Sequence, residues 1–283
     1  MTIFQRLRFP RTTWPGAAIT TVIAIGVGSA AIASTTSIQA GPTEDVAQPT
    51  IVLVHGAFAD GSSWNDVIDI LHKNRYAVVA PANPLRGLAS DADALRSLLT
   101  SIDGPVVLVG HSYGGSVISA AAAGLDQVKA LVYLAAFLPA PGESAAELSS
   151  RFPGSTLAEA LTPVPIVSSG ATIGTDLYIR QNRFHDQFAA DVPTDRTSLA
   201  AVSQRPIAQA ALEERATTAA WTEKPSWDVI STKDRNIPAA AQRFMAERAH
   251  AQVTEVDSSH AVAVSHPDLV ADVIEQAARS AAH

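Results

Sequence analysis

Six short apolar runs recur along the chain, at residues 51–54, 76–80, 106–109, 130–135, 227–230 and 252–256. Most are apolar at successive rather than alternate positions, the pattern of strands buried on both faces. Between them the apolar side chains fall at helical spacing, as in Val67, Ile68 and Leu71, then Leu95, Leu98 and Leu99, and near the end Leu269, Val270, Val273 and Ile274. Strand and helix in alternation require a parallel sheet, because each return to a parallel neighbour needs a crossover that a helix supplies. The expected fold class is therefore α/β, a mostly parallel six-stranded sheet with helices on both faces. A chain of 283 residues with 47% hydrophobic side chains has enough apolar surface to bury such a core.

One interval breaks the rhythm. About 90 residues separate the fourth run from the fifth, far more than an α/β connection needs. This stretch, residues 140–224, carries Phe152, Tyr178, Phe184, Phe188 and Trp221 among several prolines, and reads as a small, largely helical lid inserted into the core.

The strongest chemical signal lies at the end of the third run. Gly110, Ser112 and Gly114 fit G-x-S-x-G, directly after an apolar strand and directly before a helical stretch. Small residues on both sides of the serine let the chain turn sharply enough to lift its hydroxyl above the strand end, so Ser112 is the candidate nucleophile. A serine hydroxyl needs a base to take its proton and a third group to orient that base. With this elbow the partners come from loops beyond later strands, the acid before the histidine. His260 stands just past the last apolar run and is the candidate base; His266, before Pro267, reads as a capping or surface residue, and His250 as a helix-end residue. Asp234 stands in the loop after the fifth run and is the candidate acid. Asp228 lies inside that strand and is a poor candidate, while Glu143 and Asp257 are lesser alternatives. The oxyanion of acyl transfer needs donors, and the backbone N–H of Tyr113 is one. The second is expected from the loop after the first strand, at Ala57, with Phe58 as the alternative; His55 in that loop reads as a brace.

Other chemistries find little support. The chain has no cysteine, which removes disulfides, thiolate metal sites and a cysteine nucleophile. Its net charge of −7 leaves no basic footprint for nucleic acid. No H-E-x-x-H motif and no dinucleotide fingerprint occur, so neither metal nor organic cofactor is called for. At the N-terminus Arg6, Arg8 and Arg11 precede an apolar run at residues 17–33 and then Ser34, Thr35, Thr36 and Ser37. That order is a signal peptide's, so residues 1–40 are expected to be removed on export to the periplasm or medium, between Ala33 and Ala40, with retention as a membrane anchor the alternative. Residues 41–49 form a linker, and residues 50–283 the folded domain.

Taken together, His55-Gly56-Ala57, Gly110-His111-Ser112-Tyr113-Gly114-Gly115, Lys233-Asp234 through Pro238, and His260 resemble the motifs of α/β hydrolases over residues 50–278. Bacterial carboxylesterases and the plant methylesterase and hydroxynitrile lyase branch are the most similar. The resemblance implies hydrolysis of a small-molecule carboxylic ester through an acyl-enzyme, with perhydrolysis, lactone opening or acyl transfer by the same residues as alternatives, and a non-catalytic binding protein as another. Two departures bear on this. Six strands rather than eight imply the minimal core. Ala261 stands where hydroxynitrile lyases commonly have lysine, and Gly56 where they have threonine, which argues against cyanohydrin cleavage. Ser112 in place of an aspartate argues against haloalkane dehalogenase and epoxide hydrolase chemistry.

Overall fold

A computed structural model describes residues 48–281; the expected signal peptide and most of the linker lie outside them. The elements run β1 (Thr50–Val54), α1 (Asn65–Lys73), β2 (Val78–Val79), α2 (Leu88–Leu99), β3 (Val106–His111), α3 (Tyr113–Ala121) and β4 (Val128–Leu134). After β4 come α4 (Ala145–Ser150), α5 (Leu157–Ala160), β5 (Leu161–Ser168), β6 (Ala171–Ile179), α6 (Gln181–Phe188), α7 (Thr194–Ser203), β7 (Ile207–Ala208) and α8 (Gln209–Glu213). The chain then returns through β8 (Ser226–Ser231), α9 (Ala239–Arg248), β9 (Gln252–Val256), α10 (Val262–Ser265) and α11 (Pro267–Ala281).

The main sheet has six strands in the order β2-β1-β3-β4-β8-β9, every pair parallel, as the apolar runs predict. Strand alternation divides its side chains between two cores. Ile51, Leu53, Val107, Val109, Val132 and Leu134 face α1 and α11, whereas Val52, Val54, Leu108, Leu131 and Tyr133 face α2, α3 and α9. Every residue of β3 is buried, so the strand that ends at the serine elbow is firmly anchored. Helix α11 starts with Pro267, whose missing N–H has no intrahelical partner to lose, and buries Val270, Val273, Ile274, Ala277 and Ala278 along one stripe.

Two expectations need correction. The second run, expected at residues 76–80, pairs only at Val78 and Val79, at one of the two edges of the sheet, where a strand has a neighbour on one side only. The segment between β4 and β8 has the expected helices, but it is helical only in part. It holds a second, three-stranded antiparallel sheet in the order β5-β6-β7, whose first two strands form a hairpin with Pro163 opposite Leu177 and Pro165 opposite Thr175. A strand with prolines at alternate positions reads as punctuation in a sequence, yet such a strand is tolerated at a sheet edge.

Candidate active site

The turn from β3 into α3 holds Ser112 at φ 55° and ψ −124°, a left-handed conformation unusual for a residue with a Cβ. Its surroundings enforce it. The Ser112 N–H donates to the Leu134 carbonyl at 3.2 Å, and the Ser112 carbonyl accepts from the Phe137 N–H at 3.1 Å. A Cβ on Gly114 would be driven into the Val54 carbonyl, and one on Gly56 would stand 2.6 Å from the Ser112 Cβ. Two crossings this close admit only glycine without movement of the backbone.

His260 and Asp234 come together from loops after neighbouring strands. Nδ1 of His260 lies 2.6 Å from Oδ2 of Asp234, and both side chains are sealed from solvent. An ionised carboxylate only accepts, so Nδ1 carries the hydrogen and Nε2 presents its lone pair. Asp234 is itself held: its Oδ1 accepts from the N–H groups of Asn236 at 2.7 Å and Ile237 at 3.0 Å, and its Oδ2 from the Gln242 amide at 3.0 Å. Ser112 and His260 line one cavity of about 490 Å³ with Ala57, Tyr113 and, from the segment after β4, Phe137 and Phe152. No hydrogen bond joins the Ser112 hydroxyl to the imidazole in this structure; such bonds commonly tighten only when substrate is bound.

The two candidate oxyanion donors differ in their hydrogen bonding. The Phe58 N–H donates to the Arg205 carbonyl at 2.9 Å and is taken. The N–H groups of Ala57 and Tyr113 have no acceptor among the described residues, and both residues border the cavity that holds Ser112. His55 is a brace as expected: Nδ1 meets the Gly56 carbonyl at 2.9 Å, Nε2 accepts from the Asn83 N–H at 2.9 Å, and burial holds its pKa below the usual imidazole value. Glu143 is bound to Arg248 at 2.6 Å and Asp257 lies near the exposed Lys233, so neither reaches His260. His266 is partly exposed, beside the Ser265 hydroxyl at 2.9 Å.

Several groups around His260 carry no sequence signal. His111 bonds through Nε2 to the His260 carbonyl at 2.8 Å, with the two rings 4.7 Å apart. Burial, reinforced by His260, lowers the His111 pKa to about 3, so its ring stays neutral and works as a donor. Phe188, the last residue of α6, sets its ring against the His260 imidazole at 5.0 Å. Asp191 accepts from the Ser259 N–H at 3.1 Å and also from the Ser259 hydroxyl, and so ties the inserted segment to the residue before His260. On Tyr113, directly after Ser112, the hydroxyl donates to the buried Asp91 at 3.0 Å.

Comparison with known proteins agrees with this architecture. Residues 51–273 match the family described as the alpha/beta hydrolase family. The alpha/beta hydrolase nvfD of Aspergillus novofumigatus is 28% identical over 83% of this chain and 98% of its own length. The pyrethroid hydrolase of Sphingobium wenxiniae is 27% identical over 79% of this chain and 85% of its own. A carbendazim hydrolyzing esterase of Nocardioides is 35% identical, but over only 33% of this chain and 44% of its own. Among solved structures, a variant of the pyrethroid hydrolase PytH superposes with a TM-score of 0.69 at 24% identity, covering 82% of this chain and 97% of that one. Polyneuridine aldehyde esterase superposes with a TM-score of 0.71 at 19% identity, covering 81% and 99%. On its sequence match and on the arrangement of its parallel sheet, the chain belongs to the alpha/beta hydrolase family.

Proposed function

We propose that this chain is an exported serine hydrolase that cleaves small-molecule carboxylic esters through an acyl-enzyme. The observation that carries the reading is the buried Asp234–His260 pair, 2.6 Å apart, whose histidine lines the same cavity as a serine held at a strained elbow. Ser112 attacks the ester carbonyl while Nε2 of His260 takes its proton. Asp234 keeps the imidazole in the tautomer this requires and stabilises the cation that forms. The tetrahedral oxyanion is received by the N–H groups of Ala57 and Tyr113, each worth on the order of a hundredfold to a thousandfold in rate. His260 then protonates the leaving alcohol, and water deacylates Ser112 by the same route. The relatives named as a pyrethroid hydrolase and a carbendazim hydrolyzing esterase support ester or related acyl chemistry for this chain. Export rests on the N-terminal pattern alone, and the N-terminal residue of protein recovered outside the cytoplasm tests it.

The decisive experiment pairs turnover with labelling. A fluorophosphonate is expected to modify Ser112, and Ser112→Ala to abolish both the adduct and nitrophenyl ester hydrolysis while the unfolding midpoint is kept. Undiminished hydrolysis by folded Ser112→Ala protein refutes the assignment.

A further inference from the structure

A second cavity of about 290 Å³ lies beside the catalytic one, and the mechanism above does not use it. It is bounded by the loop after β1, by α6 and α7, and by Ala261 and Val264 next to His260. Phe58 lines both cavities. Its ring meets Phe188 edge-on, 6.4 Å between centroids at 86°, and the pair forms the partition. Phe58 is also held at φ 61°, where a bulky side chain is rarely found, with its N–H fixed to the Arg205 carbonyl. The backbone is thus constrained in the position that puts an aromatic ring between the two spaces.

Resting on the esterase reading, we infer that the smaller cavity is the compartment for the alcohol half of the ester, and that Phe58 decides how large that half can be. The direction follows from proton transfer. The leaving oxygen must meet Nε2 of His260, and the residues flanking His260, Phe188 on its ring and Ala261 after it in the chain, are walls of the smaller cavity. The chemistry of the occupant follows from the lining. Phe184, Phe188 and Val192 give it an apolar wall, Asp60, Ser62 and Ser63 a polar one, and Arg196 is paired with Asp66 at 2.8 Å, so an alcohol with an aromatic body fits and an anionic one is opposed by Asp60. A cavity of roughly 150 Å³ already accepts benzene, so a space of about 290 Å³ has room for a substituted aromatic ring.

The test compares 2-naphthyl butyrate, methyl butyrate and methyl 2-naphthoate, which separate alcohol size from acyl size. Phe58→Ala removes the partition, and Ala200→Trp fills the smaller cavity from its exposed far side on α7. Phe58→Ala is expected to raise the naphthyl butyrate to methyl butyrate ratio of kcat/KM about tenfold, and Ala200→Trp to lower it by a similar factor. The naphthoate to butyrate ratio, which reads the acyl side, is expected to stay put in both. If Phe58→Ala fails to fold, Ala200→Trp alone decides. An active wild-type enzyme whose alcohol ratio ignores Ala200→Trp, or whose acyl ratio moves instead, overturns the alcohol compartment and leaves the esterase reading intact. A wild-type protein that cleaves none of the three esters and takes no fluorophosphonate overturns that reading and this inference together.

Discussion

Asp228 offers a sharp test of how the core handles charge. It sits in the middle of β8, fully shielded, opposite Tyr133 on one neighbouring strand and Val253 on the other, and neither of its carboxyl oxygens has a hydrogen-bond partner among the described residues. Burial alone pushes its pKa well above the ordinary carboxylate value of 3.8. The folded protein therefore keeps a proton there at pH values where the unfolded chain has begun to release it. A pKa raised by folding contributes stability that is fully present below about 3.8 and is lost as pH rises toward the folded value. The loss is about 1.4 kcal/mol per pH unit across that window. Asp228→Asn keeps the shape and removes the titration. The new amide leaves unpaired donors at a cost of about 1–3 kcal/mol, but that cost does not change with pH. Urea unfolding of both proteins at several pH values from about 4 to about 6 should show the variant gaining on the wild type as pH rises, by at most about 1.4 kcal/mol per pH unit, whatever its offset. A difference independent of pH would mean that the carboxyl binds its proton equally in both states, and the argument from its isolation would fail.

Three further outcomes follow from the site. Asp234→Asn should preserve the fold but lower kcat on the order of 10⁴-fold, since the amide no longer enforces the tautomer; steady-state kinetics on a nitrophenyl ester checks it, and a loss below about tenfold would show that Asp234 is not the orienting group. Asp191→Ala should lower kcat about tenfold with KM little changed, because it frees Ser259 beside His260 without touching the cavity that holds Ser112; a rise in KM alone would place its effect on binding instead. The His111 pKa of about 3 lies below the unfolded imidazole's 6.5, so its contribution to stability is complete above about pH 6.5 and declines as pH falls toward 3. His111→Gln should flatten that limb by about 1.4 kcal/mol per pH unit in acid unfolding curves, and an unchanged slope would contradict the assignment of a neutral buried ring.

The parts of the molecule legible in its sequence are those set by local pattern. Successive apolar residues announce β1, β3, β4 and β8, and the glycines around Ser112 announce the elbow, because each is a constraint within a few positions. His260 and Asp234 were readable because both stand just beyond strand ends, where loops converge over one edge of a parallel sheet. What escaped depends on distance or on context. Asp191 acts on Ser259, 68 positions away, and nothing near either residue records the bond. Gln242 supports Asp234 from one turn inside α9, where a glutamine reads as an ordinary helix former. The hairpin of β5 and β6 was hidden by Pro163 and Pro165, which look like breakers unless the strand is known to be an edge.

Those two prolines have a consequence for the protein in a crowded solution. Val167 and Ile173 near the hairpin tip are 61% and 67% exposed, and an open, apolar strand margin invites pairing with the same margin of another molecule. At alternate positions on β5, Pro163 and Pro165 leave that margin without the amide hydrogens a visiting strand would need, while the ladder to β6 is kept. The margin is therefore a poorer template for strand-on-strand growth than its exposed apolar residues alone would make it.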